Sequence, residues 1–218
     1  MARVIVIGGH GKVALRLASI LTGRGDEVSS VFRNPDHYDE VAVTGAKPVV
    51  ADIERLDTDA LAGLLAGHDA VVFSAGAGGG NPARTYAVDR DAAVRVVDAA
   101  ARAGVRRFVM VSYFGAGPDH GVPQGDSFFP YAEAKAAADA HLRASGLDWT
   151  VLGPGRLTLE PATGRIALGA PGKRTEKSEV SRADVALVAA AALADDSTIG
   201  RTIDFNNGDV PIVEALAR

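Results

Sequence analysis

Tyr131 and Lys135 are four residues apart in a predicted helix and so share one of its faces. Ser112 stands at the C-terminal end of a predicted strand, the edge where open α/β sheets place their ligands. Three such groups brought together can move a proton to or from a substrate oxygen. An ammonium beside a phenol lowers the phenol pKa, and the phenol can then exchange its proton with a hydroxyl or carbonyl. A serine hydroxyl can hold the same oxygen. Tyr-x-x-x-Lys alone is an ordinary pair on a helix surface; Ser112 and a glycine loop beside it give it chemical meaning.

That loop reads Gly8-x-x-Gly11-x-x-Ala14, with Gly9 and His10 inside it. It joins a β-branched run over 2–7 to a segment whose Val13, Leu17, Ile20 and Leu21 recur at helical spacing. Strand, glycine turn and helix in this order suit a pyrophosphate. The turn needs positive φ, the backbone must approach the phosphates closely, and the helix N-terminal amides receive the charge. An NAD site carries an acid at the end of the second strand, about 20 residues on. Here Arg33 stands at that end. A guanidinium suits a 2′-phosphate through paired, charge-assisted bonds, and Lys12 adds a second cation. NADP(H) is therefore the expected cofactor and NAD(H) the alternative, with Asp36 and Asp39 close by as other ribose partners.

The elements that must position these groups can be read from periodicity. Strands are expected over 2–7, 27–32, 47–53, 69–76, 106–112 and 147–154, and helices over 12–25, 58–67, 82–104 and 130–146. Strict alternation of the two means parallel strands with crossover helices, an α/β doubly wound parallel sheet flanked by helices. In the helix over 82–104, Asp91, Arg95, Asp98 and Arg102 form a solvated stripe suited to i,i+4 pairs. The pattern changes after 154. Residues 155–180 hold Arg156, Arg165, Lys173, Arg174 and Lys177 against Glu160, Glu176 and Glu179, a mixed-charge loop with one short strand over 165–168. A helix over 181–194 follows, opened by Ser181 and Asp184 in a capping-box arrangement, then a strand over 201–206 and a terminal helix over 211–218. The expected organisation is one domain over 1–218, with a cofactor-binding core over 1–154 and a small cap and C-terminal elements over 155–218.

Composition closes several alternatives. The 218 residues carry 23 Lys plus Arg against 27 Asp plus Glu, a formal net charge of −4, which argues against nucleic acid as a partner. There is no cysteine, which excludes disulfides, thiolate metal sites and cysteine nucleophiles. The five histidines are scattered without metal-ligand spacing, so no metal is expected. The opening apolar run is too short for a signal peptide, and no window of about 18 apolar residues suggests a membrane span. A cytoplasmic protein is expected, a monomer or homodimer that binds a small-molecule substrate.

The segments VIGGHGKVA (6–14), VFRNPDH (31–37), VVADI (49–53), FSAGAG (73–78), VMVSYFGA (109–116), YAEAKAAAD (131–139), SGLDWTVLGPGRL (145–157) and VSRADVA (180–186) together resemble the atypical short-chain dehydrogenase/reductase superfamily. The likeness is to its compact, NAD(P)-binding, NmrA-like and epimerase-like members. The resemblance implies a Rossmann-like fold and a set of roles. Gly8, Gly11 and the neighbouring backbone of Gly9, His10, Lys12 and Val13 would hold the pyrophosphate. Arg33 would meet the 2′-phosphate, and Asp52 and Ile53 would border the adenine. Ser74, Ala75 and Gly76 would line the cofactor ribose, and Pro154 and Gly155 would begin the loop on the nicotinamide side. Ser112, Tyr131 and Lys135 would serve as substrate-oxygen donor, acid/base and ribose-binding cation. Ala14 in place of a third glycine and His10 in the turn depart from the wider family. The short C-terminal part leaves no room for a large sugar-nucleotide domain. An NADP(H)-dependent reductase of a small carbonyl, quinone or flavin-like acceptor is the implied activity. A cofactor-binding redox sensor without turnover and a cofactor-using epimerase or isomerase are the alternatives.

Overall fold

A computed structural model describes residues 1–169 and 178–217. Its elements alternate, with a short helix α2 that the periodicity did not announce and a β4 shorter than the expected 69–76: β1 (Arg3–Ile7), α1 (Lys12–Gly23), β2 (Glu27–Phe32), α2 (Tyr38–Ala42), β3 (Lys47–Val50), α3 (Thr58–Leu65) and β4 (Ala70–Phe73). Then come α4 (Pro82–Thr85), a π-helical stretch (Tyr86–Ala92), α5 (Ala93–Ala103), β5 (Arg107–Val111), α6 (Phe129–Ala144) and β6 (Asp148–Pro154). The last part holds β7 (Arg156–Thr158), β8 (Arg165–Leu168), β9 (Glu179–Ser181), α7 (Arg182–Ala194), β10 (Arg201–Asn207), β11 (Val210–Pro211) and α8 (Ile212–Leu216).

Among the described residues the main sheet has nine strands in the order β11-β8-β10-β6-β5-β4-β1-β2-β3. From β3 to β10 every pairing is parallel, while β8 runs antiparallel to β10 and β11 antiparallel to β8. This is a doubly wound, Rossmann-like α/β sheet. Both faces of its centre are covered, which is why β1, β4 and β5 are almost wholly apolar. Along β1 the side chains divide by the two-residue period: Val4 and Val6 join the core under α1 and α7, and Ile5 and Ile7 join the core under α3 and α5.

Parallel pairing also fixes where the loops go. Ile7 pairs with Val31 and with Phe73, and Phe73 pairs with Met110. The segments after β1, β2, β4 and β5 therefore leave the sheet side by side at one edge. β3 ends at Val50, short of the expected 53, because Asp52 turns the chain and accepts from the Glu54 amide at 3.1 Å. The expected helix over 82–104 is interrupted by the π-helical stretch. Its polar stripe also pairs differently from the i,i+4 ladder expected. Arg95 donates to the carbonyls of Ile53 and Leu56, Asp98 meets His141, and Arg102 meets Asp59. The stripe joins neighbouring elements instead of bracing its own helix, and Arg95 fixes the loop that carries Ile53 and Glu54.

The C-terminal segment contributes β8, β10 and β11 to the main sheet, and β7 with β9 forms a small parallel sheet of its own. Lys173, Arg174, Glu176 and Lys177 of the mixed-charge loop lie outside the described residues, as does Arg218. Ser181 caps α7, accepting from the Asp184 amide at 2.9 Å. Asp184 departs from a capping box. Its carboxylate accepts from the backbone amides of Thr163 and Gly164 and from Ser181 Oγ, tying the start of β8 to α7. Asp184→Ala leaves the buried Ser181 hydroxyl and the two partly buried amides without this acceptor. We expect it to cost roughly 3 kcal/mol in urea unfolding and to lower the thermal midpoint by about 10 °C.

Candidate functional site

The glycine turn is shaped by its neighbours in the sheet. Gly8 has φ +87, and a Cβ there would lie 2.5 Å from Ala75 Cα. A Cβ on Gly9 would lie 2.6 Å from Ser30 Cβ. The amides of Gly8 and Gly9 both donate to the Val31 carbonyl, and that of Gly11 donates to Gly8 O. Gly11 then precedes α1 with no side-chain cap, and no acid sits in the first helical turn. The positive end of α1 is therefore left to an anion.

A cavity of about 320 Å³ opens at this point. Gly8, His10, Gly11, Arg33, Asp52, Ile53, Ser74, Ala75 and Gly76 line it, so sequence-predicted residues from four loops meet at one cleft. Gly9, Lys12 and Val13 do not line it: Gly9 is buried against Ser30, Lys12 is exposed at the start of α1, and Val13 packs in the core. Asp36 and Asp39 are also absent from the lining. The uncapped helix end, the glycine cradle and the cleft fit a dinucleotide.

Two charged residues of this cleft escape a sequence reading. Glu54 accepts from Arg33 Nη1 at 3.0 Å and from Arg84 Nε at 3.3 Å. Arg84 is itself anchored to the Ala77 carbonyl at 2.9 Å. Arg33 thus stands half-exposed at the cleft with a carboxylate already on it, and a second guanidinium arrives from α4. Nothing in the spacing of residues 33, 54 and 84 announces this triad, because only the return of the loop after β4 brings Arg84 over the sheet.

A second cavity, of about 410 Å³, is lined by Ser112, Tyr113, Phe128, Tyr131, Pro154, Gly155, Arg156 and Leu157. The rings of Tyr113, Phe128 and Tyr131 form a cluster with centroids 5.2 to 5.6 Å apart. Arg156 at its rim pairs with Glu179. Ser112 and Tyr131 meet here as the sequence suggested, and Lys135 does not reach either lining. Its side chain is 1% exposed, donates to the Val111 carbonyl at 2.7 Å and lies over the Phe73 ring.

Lys135 sits among buried acids that the sequence reading missed. Asp139 continues the stripe of Tyr131 and Lys135 by one more helical turn, a spacing that could have flagged it. It is fully buried and accepts from Ser112 Oγ at 2.5 Å. The Ser112 hydrogen is committed there, so its oxygen presents lone pairs to the cavity. Asp89, held in the π-helical stretch, accepts from the Ala77 amide at 3.0 Å and steadies the backbone behind the first cavity. Burial pushes the carboxyls of Asp89 and Asp139 up, and the Lys135 ammonium opposes both shifts.

The phenols move the other way from the sequence expectation. Burial, with the charges of Asp89 and Asp139 behind it, raises the Tyr131 pKa well above its ordinary value. Tyr113 is pushed up to about 12 by burial and then by Asp139 and Asp204. The lysine does not prevail, because two carboxylates share its field. Tyr131 is a neutral phenol at ordinary pH, as an unshifted tyrosine would be, and the shift makes it a weaker acid whose proton passes only to an atom that becomes strongly basic.

A raised carboxyl pKa means that the folded state binds the proton more tightly than the unfolded chain does. Its stabilising contribution is present below the unfolded pKa and is lost as pH rises through the folded one. Asp139→Asn has no such loss. We expect the thermal midpoint of Asp139→Asn, relative to the unsubstituted protein, to improve as pH rises above the ordinary carboxylate range, as read by circular dichroism melts.

Comparison with known proteins agrees with this geometry. A family model described as NAD(P)H-binding matches residues 8–196. The chain is 35% identical over 218 residues to the uncharacterized sugar epimerase YhfK of Bacillus subtilis, covering 99% of each chain. The solved structure of an NAD-dependent epimerase/dehydratase candidate from Bacillus halodurans superposes with a TM-score of 0.90 at 35% identity, over 100% of this chain and 99% of that one. The oxidoreductase ylbE from Lactococcus lactis superposes with a TM-score of 0.85 at 28% identity, over 99% and 95%.

Proposed function

The chain belongs to the NAD(P)H-binding family, and on that premise we propose that it is an NADP(H)-dependent reductase of a small carbonyl, quinone or flavin-like acceptor. The observation that carries this reading is the second cavity, where a neutral phenol and a serine oxygen face a space walled by aromatic rings. A bound reduced dinucleotide supplies the hydride. Tyr131 donates a proton to the acceptor oxygen or nitrogen that becomes basic. Ser112, its hydrogen held by Asp139, accepts from an N–H of a flavin-like acceptor and orients it, whereas a carbonyl or quinone oxygen is met by Tyr131 alone. Tyr113, Phe128 and Leu157 exclude water and favour a flat, neutral molecule. Lys135 holds its place between Asp89 and Asp139 and fixes the backbone at Val111, the residue before Ser112.

In the first cavity, Gly8, Gly11 and the start of α1 would hold the pyrophosphate, and Asp52 and Ile53 the adenine side. Ser74, Ala75 and Gly76 would line a ribose, while Pro154 and Gly155 border the acceptor. Arg33 and Arg84 are the cations available to a 2′-phosphate, and Glu54 competes with it for both. Calorimetric titration should give NADP⁺ binding at least tenfold tighter than NAD⁺, about 1.4 kcal/mol. Arg33→Ala should erase most of that preference. Glu54→Gln should tighten NADP⁺ roughly three- to tenfold with little change for NAD⁺. Equal affinity for the two cofactors removes the 2′-phosphate role of Arg33.

Turnover is tested by loss of NADPH absorbance against a panel of quinones, flavins and small carbonyls. Tyr131→Phe should lower carbonyl turnover by about 10²-fold. The epimerase names of similar proteins favour a second reading, cofactor-using isomerisation, which consumes no NADPH. Dinucleotide binding with no oxidation on any acceptor would defeat the reductase reading and leave isomerisation or redox sensing.

A further inference from the structure

The sequence separates His10 from His37 by 27 residues, and no metal is expected from that spacing. Parallel pairing of β1 with β2 brings the loops after them together. His10 comes from the glycine turn, His37 ends a 3₁₀ turn over Pro35–His37, and Glu40 follows on α2. The ligand-capable atoms of these three side chains all lie within 4.8 Å of one another. His10 Nε2 and Glu40 Oε2 are 3.1 Å apart.

We propose that His10, His37 and Glu40 form a binding site for a zinc-class divalent cation at the rim of the dinucleotide cleft. The ligand chemistry favours that class. Two imidazoles and one carboxylate suit zinc and its neighbours, whereas magnesium and calcium take oxygen ligands. Zinc bonds of about 2.0–2.2 Å give a tetrahedral edge of about 3.4 Å, close to the separation of His10 and Glu40. The third ligand is near, but the His10 and His37 rings stack with centroids 3.5 Å apart and planes 14° apart, so their in-plane lone pairs lie in nearly parallel planes. A rotation of the partly buried His37 side chain would aim its nitrogen at a point shared with the other two. Glu40 is 63% exposed on its side chain and His10 28%, so the cation enters from solvent. Three protein ligands leave a fourth position open to water or a phosphate oxygen, and His10 and His37 both line the cleft where phosphates would lie.

The test is calorimetric titration of the tag-free full chain with zinc chloride, and separately with magnesium chloride. It needs neither dinucleotide nor acceptor, so its failure would not touch the reductase reading. We expect one zinc per chain with a Kd of about 10 µM or tighter and no magnesium binding at that concentration. His37→Asn and Glu40→Gln, both at the surface, should weaken zinc at least tenfold with unchanged far-ultraviolet circular dichroism. His120→Asn, at the separate His120–Glu133 pair, should bind as the unsubstituted chain does. Zinc binding weaker than about 10 µM in the unsubstituted chain overturns the proposal and leaves His10–Glu40 as a tether between loops. Binding that survives both His37→Asn and Glu40→Gln, or that is lost only in His120→Asn, places the metal elsewhere and overturns it equally.

Discussion

The turn after β1 lies pressed between the chain leaving β2 and the chain leaving β4. Side chains at Gly8 or Gly9 would collide with Ala75 or Ser30, and both glycine amides are held by the Val31 carbonyl. Their absence lets the loops after β1, β2, β3 and β4 close around one cleft with the bare end of α1 at its base. The glycines are thus required first by protein backbone. A phosphate can approach because the strands have already been allowed to.

The same edge carries a second constraint, the burial of charge. Lys135, Asp89 and Asp139 are almost wholly removed from water, and such groups persist only when they face one another. Their mutual compensation decides the chemistry of the residues that reach the cavity. Asp139 takes the hydrogen of Ser112, Asp89 fixes the backbone at Ala77, and the two carboxylates offset the lysine at Tyr131. The phenol is left neutral and the serine is left an acceptor. An acid, an acceptor and aromatic walls make a site that suits delivery of a proton to a flat molecule. The π-helical stretch that carries Asp89 sits where such irregularities concentrate, beside a site.

At the other end of the cleft, charge is arranged in the opposite sense. Arg33 and Arg84 converge near the surface on Glu54, and Arg95 holds the loop that presents Glu54. An anion entering there exchanges one carboxylate partner for another, so selectivity depends on a difference between two similar interactions.

The sequence by itself determined the elements and their order. The alternation of β-branched runs with helical periodicity, the glycine turn at Gly8 and Gly11, and the Tyr131–Lys135 spacing all express local periods of two and 3.6 residues. Those periods need no knowledge of distant contacts, and they sufficed for the parallel sheet; Asp52, Ile53, Ser74, Ala75, Gly76, Pro154 and Gly155 were placed at the cavities by the family resemblance instead. Tertiary structure decided which groups share a field. His10 meets His37, Arg84 meets Glu54, and Asp184 holds Thr163 only because particular strands are neighbours. The direction of the Tyr131 shift, the partner of Ser112 and the inward turn of Lys135 depend on burial and on charges from several elements at once. Electrostatic interactions act through space and strengthen as water is excluded, so their balance appears only when the chain has closed.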